Sequence, residues 1–178
     1  MVVNNLIMVV IMKSLNIWLT EYSDMHQDKR NQIIHTIFVP LIMFSILGIF
    51  WAISIYLLSL LIIATFIFYL LLSIKYSIIM AIITTIMLLA LSVIPNKIDV
   101  CLAIFMISWF FQFLGHIYEK KQPAFSKYIQ FLLIGPLWLI YKVQKWIYKE
   151  KKMAKGIINK VTIIGRVGQK PELHQFSN

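Results

Sequence analysis

The sequence holds one cysteine, Cys101, inside an apolar run, which excludes an intramolecular disulfide and leaves a small core residue as its reading. Charge is scarce and one-sided: only 13% of the 178 residues are charged, and 7 Asp and Glu stand against 17 Lys and Arg. With 60% hydrophobic residues besides, the composition falls well outside the range of soluble domains. There is no HExxH, no CxxC pair, no GxSxG and no phosphate-cradling glycine loop, which argues against zincins, serine hydrolases and nucleotide enzymes. Met1 to Met12 carry no basic n-region and lead to no small-residue cleavage site, so a secretory signal is not expected; Met12 is a second candidate start.

What the chain does have is long greasy runs. From Ile33 to Ile94 it is almost unbroken Ile, Leu, Phe, Met and Ala, with Lys75 as the only full charge. At about 20 residues per span, roughly three helices fit there. Val100 to Ile117 supplies a fourth, giving expected spans near 36–55, 57–74, 77–94 and 100–118. The first boundary is the weakest, since neither a charge nor a proline separates the first two spans. A shorter run, Tyr128 to Tyr141, is interrupted by Gly135 and Pro136 and reads as an interfacial or re-entrant helix. Leu15, Trp18, Leu19 and Tyr22 recur at helical spacing, with Lys13, Asn16, Thr20 and Glu21 between them, so an amphipathic helix lying at the interface is expected before the first span. In that reading Trp18 and Tyr22 sit at headgroup depth. The expected fold is therefore all-α and polytopic, about four transmembrane helices with a flanking helix at each end.

About half of the basic residues follow Tyr141, among them Lys142, Lys145, Lys149, Lys151 and Lys152, and the positive-inside rule puts that end in the cytoplasm. Lys13, Lys29 and Arg30 say the same of the N-terminal side, and an even number of spans satisfies both. A lysine-rich segment directly after hydrophobic helices reads as an anchor for anionic membrane lipids rather than as a nucleic-acid site.

Histidines are the costly residues in this chain. His26 and His35 precede the first long run and His116 ends the fourth. With four spans, His35 and His116 share one face of the membrane; an odd count would leave them a bilayer apart. His26 and His35, nine positions apart, fall on opposite sides of a continuous helix, so they converge only if the chain turns between them. The polar Gln27 to Asn31 suits such a turn, with Asn31 as cap of the helix that carries His35 and Pro40 early in that helix. His116 and Glu119, three apart, face the same way; Gly115 leaves room for the close approach of another backbone, and Pro123 marks the end of the helix. A rim histidine can be no more than an interfacial polar group satisfied by water, but three on one face make a candidate metal site. His174, in the tail, has no such company. Imidazoles plus a carboxylate with open positions suit non-haem Fe(II), and zinc with a bound water is equally allowed.

Two blocks then carry a family resemblance. Tyr22 to His35, followed by Pro40, contains HxxxxNxxxHxxxxP, and Trp109 to Ala124 contains W..QF.GH..EK..PA. Together they resemble the 2-hydroxy-palmitate dioxygenase family of small multi-pass membrane proteins, over about residues 13 to 148. The resemblance implies Fe(II)-dependent α-oxidation, in which a 2-hydroxy fatty acid reacts with O2 to give the acid one carbon shorter. It implies His26, His35 and His116 as iron ligands. Asn31, Gln112 and Glu119 are signature positions; Asn31 and Glu119 are expected in the catalytic site, Glu119 as the orienter of His116 or as a fourth ligand. Lys120 and Lys121 are placed to attract the carboxylate headgroup or to snorkel as anchors. Phe38 departs from the family, many of whose members have glycine in that part of the block, and is expected to narrow the space beside the site.

Asn159 to Leu173 resembles the opening strand of bacterial single-stranded-DNA-binding proteins, but about twenty residues cannot close an OB barrel. No nucleic-acid partner is expected, and the domain division is 1–150 for the membrane-embedded part and 151–178 for the basic tail. The prokaryotic look of that tail points to a bacterial inner membrane, or the endoplasmic reticulum if the source is eukaryotic. Two other functions remain beside the dioxygenase: a metal-dependent hydrolase of membrane lipids, and a non-catalytic scaffold or lipid-binding protein.

Overall fold

A computed structural model of the chain describes residues 13–126 and 128–154. The candidate start at Met12, the segment after Lys155 and His174 lie outside the described residues. Among those described, the structure is helical throughout, with no strand. The order is α1 (Leu15–Asp24), α2 (Lys29–Ile53), α3 (Ile55–Leu72), α4 (Ile74–Ser92), α5 (Lys97–Glu119), a short 3-10 turn (Ala124–Ser126) and α6 (Phe131–Ala154). The chain divides into two compact units, Met1–Val143 and Gln144–Asn178; the first holds everything below, and residues 144–154 of the second are helical.

Four helices, α2 to α5, are long and apolar enough to cross a membrane. The first two boundaries between spans, including the one that lacks a charge or a proline, are made by serine. Ser54 and Ser73 each interrupt an otherwise apolar stretch with one extended residue, at φ −165° and φ −173°, so that α2, α3 and α4 follow one another with single-residue connections. The Ser54 hydroxyl accepts from the Tyr56 amide at 3.3 Å, supplying one of the hydrogen bonds that a helix start leaves open.

The most intimate pair is α2 with α5, the first span against the fourth. Small residues permit it: Ser45, Gly48, Cys101 and Ser108 are all buried, and a Cβ on Gly48 would collide with Cys101 Sγ. In hydrocarbon, where apolar side chains gain nothing by leaving lipid, such close backbone approach is what holds helices together. The pairing also brings the start of α2 and the end of α5 to the same end of the bundle, as four spans require.

The amphipathic helix forms as expected, but its apolar face does not meet lipid. Trp18, Leu19 and Tyr22 are buried within the protein, Trp18 completely. They pack against α6, with Trp18 edge-on to Phe131 at 5.1 Å and Tyr22 against Trp138 at 5.3 Å. Trp18 and Tyr22 are core residues rather than headgroup-depth anchors. The run 128–141 supplies the cover: Phe131, Ile134, Leu137 and Trp138 are buried, and Pro136 lies inside α6.

Candidate metal centre and cavity

α1 ends at Asp24, and the chain turns before α2 begins, which is the bend the two histidines need. The cap of α2 is Asp28, whose carboxylate accepts from the Arg30 amide at 2.7 Å, not Asn31, which lies inside the first turn. An Asp cap three residues earlier leaves Asn31 and His35 one turn apart on the same face of α2, both buried.

His26, His35 and His116 meet there. Their ring centroids are 4.3 Å (26 to 35), 5.3 Å (26 to 116) and 5.0 Å (35 to 116) apart, and one ligand atom from each falls within 4.8 Å of the others. The first two are held alike. His26 Nδ1 donates to the Tyr22 carbonyl at 2.7 Å and His35 Nδ1 to the Asn31 carbonyl at 3.0 Å, each one helical turn back. A carbonyl accepts only, so Nδ1 carries the proton in both rings and Nε2 keeps its lone pair.

Those two Nε2 atoms face each other at 3.1 Å. Two lone pairs at that distance repel unless a cation or a proton lies between them. Burial pushes the His26 imidazole down to about 4, so a shared proton is disfavoured near neutrality. Nitrogens bound about 2.1 Å from one ion at 90–110° lie roughly 3.0–3.4 Å apart, so the pair fits a transition metal. His116 adds a buried Nδ1 without a partner. The donor set therefore suits a metal ion, and three imidazoles leave coordination positions open.

Glu119 makes its contacts elsewhere. Its carboxylate accepts from the backbone amides of Gln27 and Asp28, both at 2.8 Å, and from Asn31 Nδ2 at 3.2 Å. It ties the end of α5 to the turn that carries His26. Lys121 reinforces the tie by donating to the Asp24 carbonyl while standing 3.8 Å from Glu119. Gly115 is where α5 must make room for Asn31: a Cβ there would lie 2.5 Å from Asn31 Oδ1.

From the histidines a cavity of about 450 Å³ runs into the bundle, lined mostly by apolar side chains of α2, α3, α5 and the segment 124–136 that leads into α6. That volume lies within the roughly 300–1,000 Å³ typical of small-ligand pockets. Along α2 its lining extends from His35 to Leu47, which at 1.5 Å per residue is ~18 Å. Two of the residues that line it carry buried donors without partners, Trp109 Nε1 and Gln112 Nε2. Each such group costs about 1–3 kcal/mol if nothing ever satisfies it.

The family described as "Mpo1-like: 2-hydroxy-palmitic acid dioxygenase Mpo1-like" matches residues 12–72 and 73–147. The chain belongs to this family. It is also 32% identical over 131 residues to the 2-hydroxy-palmitic acid dioxygenase MPO1 of Saccharomyces cerevisiae, an alignment covering 68% of this chain and 74% of the yeast protein. No solved structure matches.

In this Mpo1-like chain the sequence-marked residues do not all gather at the histidines. Asn31 bridges α2 to Glu119, and Gln112 lines the cavity one turn before His116. Phe38 stacks on Phe111 at 4.6 Å and is not among the cavity-lining residues, so it fills a seam between α2 and α5 rather than the space beside the site. Neither Lys120 nor Lys121 lines the cavity. Neither Tyr22, read from the sequence as an interfacial residue, nor Trp138 was expected at the site: the Tyr22 ring stacks on His26 at 4.1 Å, and Trp138 flanks it at 5.6 Å while donating to Ser23 Oγ. Their aromatic character was visible, but their meeting depends on α6 folding back over α1.

Proposed function

We propose that this protein is an Fe(II)-dependent dioxygenase that converts a 2-hydroxy fatty acid and O2 to the fatty acid one carbon shorter, with His26, His35 and His116 holding the metal. The observation that carries the reading is the position of three buried imidazoles at one end of an apolar cavity. The name and the 32% identity of the yeast relative support the substrate class. When bound, the iron would supply one-electron chemistry toward O2 and Lewis acidity toward substrate oxygens.

The chain's own residues provide the setting. Tyr22 and Asn31 carbonyls fix the tautomer and orientation of two imidazoles. Glu119 holds the turn bearing His26 against α5, and the Tyr22 ring covers one face of that imidazole from water. The cavity takes the acyl tail: ~18 Å along α2 is close to one leaflet, about half of the ~30 Å hydrocarbon core. A membrane-length chain thus lies among the spans with its polar end at the histidines.

The overall reaction closes without a further reductant. A 2-hydroxy acid plus O2 gives the shortened acid, CO2 and water; the substrate surrenders four electrons and O2 accepts four. The lysines after Tyr141 support, by the positive-inside rule, a site on the cytoplasmic side. Oxygen uptake by the purified protein tests the reading. Stoichiometric O2 consumption with 2-hydroxypalmitate, yielding the C15 acid, and none with palmitate is the expected result. Oxygen-independent lipid hydrolysis by a zinc-loaded protein would replace it with a hydrolase.

A further inference from the structure

Trp109, Gln112 and His116 follow one another at spacings of three and four on α5, so they share a face, and all three line the cavity. Gln112 is 6% exposed. Its Nε2 is buried without a partner, and it makes no hydrogen bond among the described residues. Buried side-chain amides are nearly always bonded, so an unpartnered one on the wall of a cavity marks a place for a ligand's polar group. Tyr69 and Thr65 are already committed, Tyr69 to the Leu133 carbonyl and Thr65 to those of Leu61 and Ile62, which leaves the Trp109 indole, one turn farther from His116, as the other unpartnered donor. No lysine or arginine among the described residues lines the cavity. A carboxylate entering here is therefore met by neutral donors beside the histidines.

We infer that Gln112 is a substrate-positioning residue, its side-chain amide donating to the carboxylate of the bound fatty acid. This rests on the fatty-acid reading of the site. A carboxylate is acceptor-only, matches an unpartnered N–H, and gives a stronger hydrogen bond than a neutral oxygen. One turn from His116, the amide holds the acid group beside the histidines and leaves the tail to the apolar lining.

The test compares two probes of equal length on the full chain in lipid nanodiscs: 2-hydroxypalmitate, and hexadecane-1,2-diol, which has CH2OH in place of the carboxylate. Binding is read by scintillation proximity, and thermal unfolding reports folding. In Gln112→Met, of similar volume, the acid binds about tenfold or more weaker while the diol stays within about twofold of wild type. Equal affinity of Gln112→Met and wild type for the acid, or parallel loss of acid and diol, overturns the assignment. Should Gln112→Met not fold, Gln112→Leu decides by the same comparison: selective loss of acid binding with the diol spared supports the assignment, and retained acid binding overturns it. A wild type that binds the acid but leaves it unoxidised under O2 removes the dioxygenase reading without touching the Gln112 comparison. A wild type with no preference for acid over diol overturns the assignment itself.

Discussion

His26 and His35 face each other Nε2 to Nε2 at 3.1 Å, each with its other ring nitrogen committed to a backbone carbonyl one turn back. Nine residues and a change of helix separate them. The turn between them is held by a carboxylate from the far end of the chain's fourth span, so the proposed metal site and the closure of the bundle are one structure.

Glu119→Gln turns an amide donor toward the backbone N–H groups of Gln27 and Asp28 and removes the charge that strengthens both bonds. The loop loosens, and we expect iron affinity to fall roughly 10- to 100-fold, the usual effect of losing a residue that orients a ligand. A metal titration followed by competition with a chelator measures it. Unchanged affinity would show that the turn holds His26 without Glu119.

The glycines rank by what a methyl group would strike. Gly48→Ala drives Cβ into Cys101 Sγ and Gly115→Ala into Asn31 Oδ1, whereas at Gly135 the nearest atom is Tyr22 Oη at 3.0 Å, the end of a side chain. Overpacking costs typically about 1–3 kcal/mol, so thermal unfolding in detergent should fall most for Gly48→Ala and Gly115→Ala and least for Gly135→Ala. Only Gly115→Ala should also weaken metal binding, through Asn31.

Leu61 lines the cavity from α3. Filling the space with Leu61→Trp shortens the tail the cavity accepts. Each buried methylene displaced costs ~0.8 kcal/mol, about fourfold in affinity, so kcat/KM for a C16 2-hydroxy acid should fall far more than for a C10 acid. A uniform drop across chain lengths would place the acyl tail elsewhere.

Trp18 is a core residue here, wholly buried against Tyr128 and Phe131. Trp18→Ala should destabilise by about 3–5 kcal/mol in denaturant unfolding. An interfacial anchor would lose membrane affinity instead and leave the unfolding midpoint in place.

Much of this was legible from residue order because hydrocarbon imposes a simple rule: a span needs about 20 apolar residues, and an even count returns His116 to the side of His35. The helix of Trp18 and Tyr22 was legible too, but amphipathicity gives an apolar face without naming its cover, and α6 rather than lipid supplies it. Asn31 looked like a cap; Asp28 takes the position because the helix opens through the polar Lys29–Gln32 turn, ahead of the apolar run. Glu119 could be read only along its own helix, where His116 is three residues away. Its actual partners, the amides of Gln27 and Asp28, lie on a turn some ninety residues earlier. Gln112 was visible as a family position, yet its lack of a partner is a property of packing alone.

The central claim is that His26, His35 and His116 hold one metal ion together, and anaerobic Fe(II) reconstitution followed by metal analysis of desalted protein tests it most directly. The account predicts close to one iron per wild-type chain and little or none in His26→Ala, His35→Ala or His116→Ala, each still folded by thermal unfolding. Full iron retention in any one of the three variants would contradict it.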